Sequence, residues 1–188
     1  AAASIAAAAT RYAGKVTEWQ LGNEHNGGSY ADDTSPANAV TYMNALAPAI
    51  RAADPTAKLV GGSLKTSSAT SGIQWGARDY LTALYDAGLN SVDLDYRLSI
   101  QPYPGSSEPS INAPDWQSMR VYRDLLAIRT ARGDTTPPLV TESGFATAGV
   151  TGTASVSTAV AASRTVPLYK EFAKNAEVAG FIDWYELF

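Results

Sequence analysis

Two glutamates stand where chemistry is easiest to build. Glu24 closes the run Trp19-Gln20-Leu21-Gly22-Asn23-Glu24-His25-Asn26, and Glu142 closes Leu139-Val140-Thr141-Glu142-Ser143-Gly144. Each follows an apolar, strand-like stretch, and they lie 118 positions apart. A glutamate in a loop is ordinarily a solvated side chain. These two differ because both follow strands directly, and the loops around them hold aromatic residues rather than ion-pair partners. Two carboxylates delivered to one mouth can cut a glycosidic bond: one stays ionised while the other holds a proton near neutral pH. Other chemistries are short of parts. The chain has no cysteine and a single histidine, His25. Thiolate catalysis, disulfides and iron–sulfur clusters are thereby excluded, and a catalytic triad or histidine metal site would have to use His25. No second histidine exists to support a metal role, so neither metal nor cofactor is expected.

The elements that must carry these glutamates alternate along the chain. Helices are predicted over 1–13, from Ser35 and Pro36 to Asp54-Pro55, and over 75–87, 115–132 and 156–174. Pro at the first helical position is a favoured start, and Pro48 is expected to kink the second helix. Strands are predicted over 16–21, 58–64, 92–100, 139–142 and 180–188. Short apolar strands alternating with amphipathic helices specify a parallel sheet covered on both faces. A doubly wound nucleotide-binding sheet would need a glycine-rich phosphate loop, and neither G-x-G-x-x-G after a strand nor G-x-x-x-x-G-K-[ST] occurs. A (β/α)8 barrel places polar residues at the C-terminal ends of its strands, which is where this sequence puts them.

Composition narrows the partners. Of 188 residues 45% are hydrophobic, and 14 basic against 18 acidic residues leave a net charge of -4. No basic stripe is present to bind nucleic acid, and no apolar run is long enough to span a membrane. The alanine-rich start lacks the basic region of a signal peptide. The absence of cysteine is compatible with secretion.

Here the motifs take on a family likeness. WQLGNEHN resembles the W-x-x-x-N-E-P-N strand-4 signature of the clan A glycoside hydrolases, retaining enzymes on a TIM barrel. LVTESGFAT resembles their strand-7 segment, VDLDYRLSIQPYP their strand 6, and GFIDWYELF their strand 8. YAGKV and ADPTAKLVGGSL are similar to the approaches to strands 4 and 5. The likeness spans nearly the whole chain and is greatest to family 39-like enzymes. It implies that Glu24 is the acid/base and Glu142 the nucleophile, with carboxyls about 5–5.5 Å apart. It further implies that Asn23 bonds the sugar 2-OH, that Tyr103 orients the nucleophile and that Trp184 is the platform under the ring. The substrate implied is an oligo- or polysaccharide. Gln101 stands where histidine is usual, and His25 where proline is usual; both are expected among the substrate-binding residues, His25 lining the mouth.

Residues 1–188 then correspond to strands 4 to 8 of one catalytic barrel domain, without strands 1 to 3; a whole barrel takes about 250 residues. The expectation is that the remaining strands come from a longer parent or from a second chain. Two other readings stay open: a carbohydrate-binding fragment or scaffold on a decayed barrel, and a different barrel enzyme acting on a small molecule. Arg97 is expected to pair with Asp95 or point outward. Trp75 and Trp116 are expected to pack between helix and barrel, the alternative being that they line a sugar cleft, and Tyr80, Tyr85 and Tyr122 are expected to be core. Asp32, Asp33 and Asp115 read as loop or cap residues, and Glu186 has no assigned role.

Overall fold

A computed structural model describes residues 2–27, 35–68, 70, 75–147, 155–175 and 178. The predicted strand over 180–188, with Trp184 and Glu186, lies outside the described residues, as do Asp32 and Asp33. The elements are α1 (Ala2–Tyr12), β1 (Glu18–Gln20), α2 (Pro36–Ala53), β2 (Lys58–Val60) and β3 (Leu64–Lys65), then α3 (Ala77–Asp86), a 3-10 turn at Leu89–Ser91 and β4 (Ser99–Gln101). α4 (Ser118–Ala131), β5 (Leu139–Val140) and α5 (Thr158–Ala173) complete the series.

Every strand pairing is parallel. β1 pairs with β2, β3 with β4, and β4 with β5. A bridge between Val60 and Tyr96 joins the two sheets. With β2 and β3 taken as two halves of one broken strand, the wall therefore runs in sequence order, with a helix crossing over between successive strands. This is the wall of a (β/α)8 barrel, here over four consecutive strands. A doubly wound sheet would instead reverse its strand order at a switch point.

The helices bury the faces their spacing marked out. In α2, Val40, Met43, Leu46, Ala47 and Ile50 are buried, and the helix continues through Pro48. In α4, Met119, Tyr122, Leu125, Leu126 and Arg129 are buried. Tyr80, Tyr85 and Tyr122 belong to the core, and Tyr122 meets Phe172 of α5 edge-on at 5.3 Å. No helix among the described residues is long and apolar enough to cross a membrane.

Three local expectations are corrected. The single strand predicted over 58–64 is two strands separated by Gly61, Gly62 and Ser63. A Cβ on Gly61 would lie 2.3 Å from the Arg97 carbonyl oxygen, so only glycine lets the neighbouring chain come this close. The strand predicted over 92–100 shortens to β4, because Asp95 is drawn aside: its carboxylate accepts from the Leu59 amide at 2.6 Å and from Arg51 Nη2 at 2.8 Å. Arg97 neither pairs with Asp95 nor points outward. Its Nη1 donates to Asp134 Oδ1 at 3.1 Å, and its amide donates to Thr136 Oγ1 at 3.2 Å.

Candidate active site

Glu24 reaches its place through a sharp turn at the end of β1. The Leu21 amide still donates to Val60, extending the strand by one residue. Gly22 then takes φ +105°, and Glu24 itself adopts φ +45°. A left-handed conformation costs a residue with a Cβ on the order of 1 kcal/mol, and such strain gathers at functional sites. The Gly27 amide closes the turn onto the Glu24 carbonyl at 2.7 Å.

Beside it, Asn23 is held through one atom. Its Oδ1 accepts from Gln101 Nε2 at 2.6 Å, Ser63 Oγ at 3.0 Å and Gln20 Nε2 at 3.3 Å. Gln101 Nε2 also donates to Ser63 Oγ at 2.8 Å. The residue in the usual histidine position is therefore a fully buried clamp linking β1, the glycine break and β4. With Oδ1 occupied, the Asn23 amide NH2 is left for a ligand, and Asn23 is exposed. Gln101 Oε1 has no hydrogen-bond partner among the described residues.

Glu142 follows β5 and is half-buried. The Tyr103 hydroxyl donates to Glu142 Oε2 at 2.5 Å, and Ser143 Oγ donates to the Pro102 carbonyl at 2.7 Å. The loops after β4 and β5 are thus tied at two adjacent points, one of them on the carboxylate. The two glutamates also sense one another. Burial pushes the Glu24 carboxyl above the ordinary glutamate range; Lys65 pulls it down and the negative Glu142 pushes it further up.

His25 does not simply line the mouth. Its Nε2 lies 3.1 Å from the Leu21 carbonyl, and its ring meets Tyr42 edge-on at 6.2 Å. A Cβ on Gly22 or Gly62 would come within 2.1 or 2.0 Å of the ring. The imidazole is wedged between two glycines and braces the Glu24 turn. Asn26, assigned no role from sequence, is fully buried. Its Oδ1 accepts from the Lys65 amide at 3.0 Å, and its Nδ2 donates to the Lys65 carbonyl at 2.8 Å. It pins the turn to β3 as a strand neighbour would. Ser63 was also missed. Buried short polar residues beside glycines are the only signal for either, and that signal does not name their partners.

The loops after β3 and β4 and the residues before α4 enclose a cleft of about 460 Å³, bordered by Lys65, Gln101, Tyr103 and Trp116 among others. The expectation for Trp75 holds: it is partly buried and meets Tyr80 edge-on at 5.8 Å. The expectation for Trp116 does not, since it is 66% exposed. It precedes the helix, so no helical face turns it inward. Asp115 is a loop residue paired with Arg120. No group of three or more His, Asp or Glu side chains that could hold a metal is found among the described residues.

No protein-family model matches the chain, and no curated protein does. Solved structures do match its fold. A glucosidase from Croceicoccus marinus aligns over 98% of this chain and 38% of its own, at TM-score 0.71 and 18% identity. A family 39 glycoside hydrolase from Bacteroides cellulosilyticus aligns over 98% and 36%, at TM-score 0.64 and 22% identity. Xylanase 10B from Thermotoga petrophila, solved with xylobiose, aligns over 100% and 53%, at TM-score 0.60 and 13% identity. The chain spans well under two thirds of the length of each. The structures it matches are clan A glycoside hydrolases, and over that part of their length the chain has their TIM-barrel fold.

Proposed function

We propose that this chain carries the catalytic centre of a retaining glycoside hydrolase that cuts β-glycosidic bonds of an oligo- or polysaccharide. It forms the strand 4 to 8 portion of a single catalytic barrel domain. Glu142 attacks the anomeric carbon while Glu24 gives its proton to the departing oxygen. Glu24 then takes a proton from water, which displaces Glu142 and releases the sugar. Asn23 presents its amide NH2 to the sugar hydroxyls, and Trp184 underlies the ring.

One observation carries this reading: the two carboxylates have different environments. Tyr103 donates to Glu142 Oε2, which fixes the direction of the attacking carboxylate. Burial and the charge of Glu142 push Glu24 upward, which favours a protonated acid.

A panel of 2-deoxy-2-fluoro β-glycosides with good leaving groups tests it on the full-length protein. Covalent mass addition mapping to Glu142 is the expected result. No addition from any member of the panel to folded protein would rule against double displacement. Glycan binding without turnover, unaltered by Glu142→Gln, would support the carbohydrate-binding alternative instead.

A further inference from the structure

We propose that Gln101, Pro102 and Tyr103 form a stiff spacer that sets the separation of the Glu24 and Glu142 carboxylates, with Gln101 and Ser143 as positioning residues toward its two ends. This rests on the glycosidase reading and adds to it how the acid/base and the nucleophile are kept at a working distance. Gln101 is fully buried, so it acts through Asn23 rather than on the substrate.

The spacer is needed where strand pairing stops. Glu24 and Glu142 both lie beyond the last residues of β1 and β5. Gln101 is itself still in register, pairing with Lys65 of β3, and its carbonyl accepts from Thr66 Oγ1 at 3.3 Å. Its Nε2 holds Asn23, the residue before Glu24, at 2.6 Å. The buried Ser143, the residue after Glu142, donates to the Pro102 carbonyl at 2.7 Å. Tyr103 donates to Glu142 itself at 2.5 Å. The loops carrying the two glutamates are therefore tied to one three-residue piece of chain.

That piece has little freedom. The pyrrolidine ring fixes φ at Pro102. Gln101 and Tyr103 each precede a proline, Pro102 and Pro104, which restricts both to extended backbone. In extended chain, residues two apart share a face and stand roughly 7 Å apart. Gln101 and Tyr103 thus reach out from one face, the first to Asn23 and the second to Glu142. Double displacement needs a set gap between the carboxyls, and a misplacement of about 1 Å costs up to roughly a hundredfold in rate.

Two measurements on the full-length protein test the spacer through Gln101→Met and Ser143→Ala. The first needs no turnover. Replacing Glu142 by Gln removes its charge and lowers the Glu24 pKa, and the size of that fall, followed by carboxyl-carbon NMR, reads how closely the two groups stand. The expected result is a fall roughly halved in each variant. The second compares dinitrophenyl β-glucosides and β-xylosides, whose leaving group needs no proton, with the methylphenyl glycosides, whose leaving group does. Gln101→Met, at the Glu24 end, is expected to lose roughly tenfold more kcat/KM on the methylphenyl than on the dinitrophenyl substrates. Ser143→Ala, at the Glu142 end, is expected to lose similarly on both. An unchanged pKa response in both variants, or equal losses on the two substrates in Gln101→Met, overturns the proposal. If Gln101→Met does not fold, Ser63→Ala, which removes another donor to Asn23 Oδ1, takes its place. If wild type hydrolyses none of these glycosides, the glycosidase reading has failed, and the pKa response alone decides the spacer.

Discussion

Tyr103 donates its hydroxyl hydrogen to Glu142 Oε2 at 2.5 Å, joining the loops after β4 and β5 across 39 positions of chain. A hydrogen bond to a charged acceptor contributes about 1.5–3 kcal/mol. If the bond orients the nucleophile, Tyr103→Phe lowers kcat/KM roughly 10- to 100-fold while far-UV circular dichroism is unaltered. Steady-state kinetics on an aryl β-glycoside measure this, and an unchanged rate would remove Tyr103 from the site.

The upward push on Glu24 gives a pH prediction. A general acid must be protonated, so activity falls as pH rises through the raised Glu24 pKa. Lys65 holds that pKa down, so Lys65→Met moves the basic limb of the kcat/KM profile to higher pH. Glu24→Gln abolishes that limb. Linkage adds a second readout. A carboxyl whose folded pKa is raised favours folding below its unfolded pKa, and that contribution is lost as pH rises through the folded value. Glu24→Gln therefore stabilises the protein above that range, seen as a higher Tm at pH 7–8 with no gain at pH 4.

His25 and Gly62 make a reciprocal pair. An added Cβ on Gly62 meets the imidazole, so Gly62→Ala is expected to destabilise by about 1–3 kcal/mol. His25→Ala in the same chain recovers part of that loss. Gly61→Ala meets the Arg97 carbonyl instead, and His25→Ala does not rescue it. Urea denaturation of these four variants, of His25→Ala alone and of the wild type completes both cycles, and equal behaviour of the two glycines would refute the wedge.

Asp134 is the buried acceptor of the opposite end of the wall. Tyr85 Oη donates to it at 2.9 Å, Arg97 Nη1 at 3.1 Å and Thr136 through its amide and hydroxyl at 2.9 and 2.8 Å. Burial acts to raise its pKa, but the bonds from Thr136, Tyr85 and Arg97 outweigh it and hold the carboxyl below the usual aspartate range. Its stabilisation is therefore present above the unfolded aspartate pKa and lost as pH falls through the lower folded value. Asp134→Asn is expected to cost about 3 kcal/mol at pH 7, since it leaves Arg97 without its counter-charge. The cost shrinks toward pH 2–3, which denaturation curves at several pH values would show.

Much of the site was legible because its signals are local. Strand-like runs at 16–21, 58–64, 92–100 and 139–142 located strands, and a glutamate, a glutamine or a Pro-Tyr-Pro turn directly after such a run marked the mouth. Helical spacing placed Val40, Met43, Ala47 and Ile50 of α2 and Met119, Tyr122, Leu125, Leu126 and Arg129 of α4 on inner faces, and all are buried; it passed over Leu46 and Val121, which are buried too. Trp116 was misjudged because it stands just ahead of a helix, where periodicity assigns no face.

The sequence by itself determined the alternation of strand and helix, the parallel barrel wall and the positions of Glu24 and Glu142, because hydrophobic pattern and strand ends are properties of neighbouring residues. Only the tertiary structure decided that Gln101 clamps Asn23 across 78 positions, that Arg97 belongs to Asp134 and that Asn26 pins the Glu24 turn. Those pairings depend on strand register and on how closely two backbones approach. Gly61 and Gly62 set that approach, and no local pattern records which partner it admits.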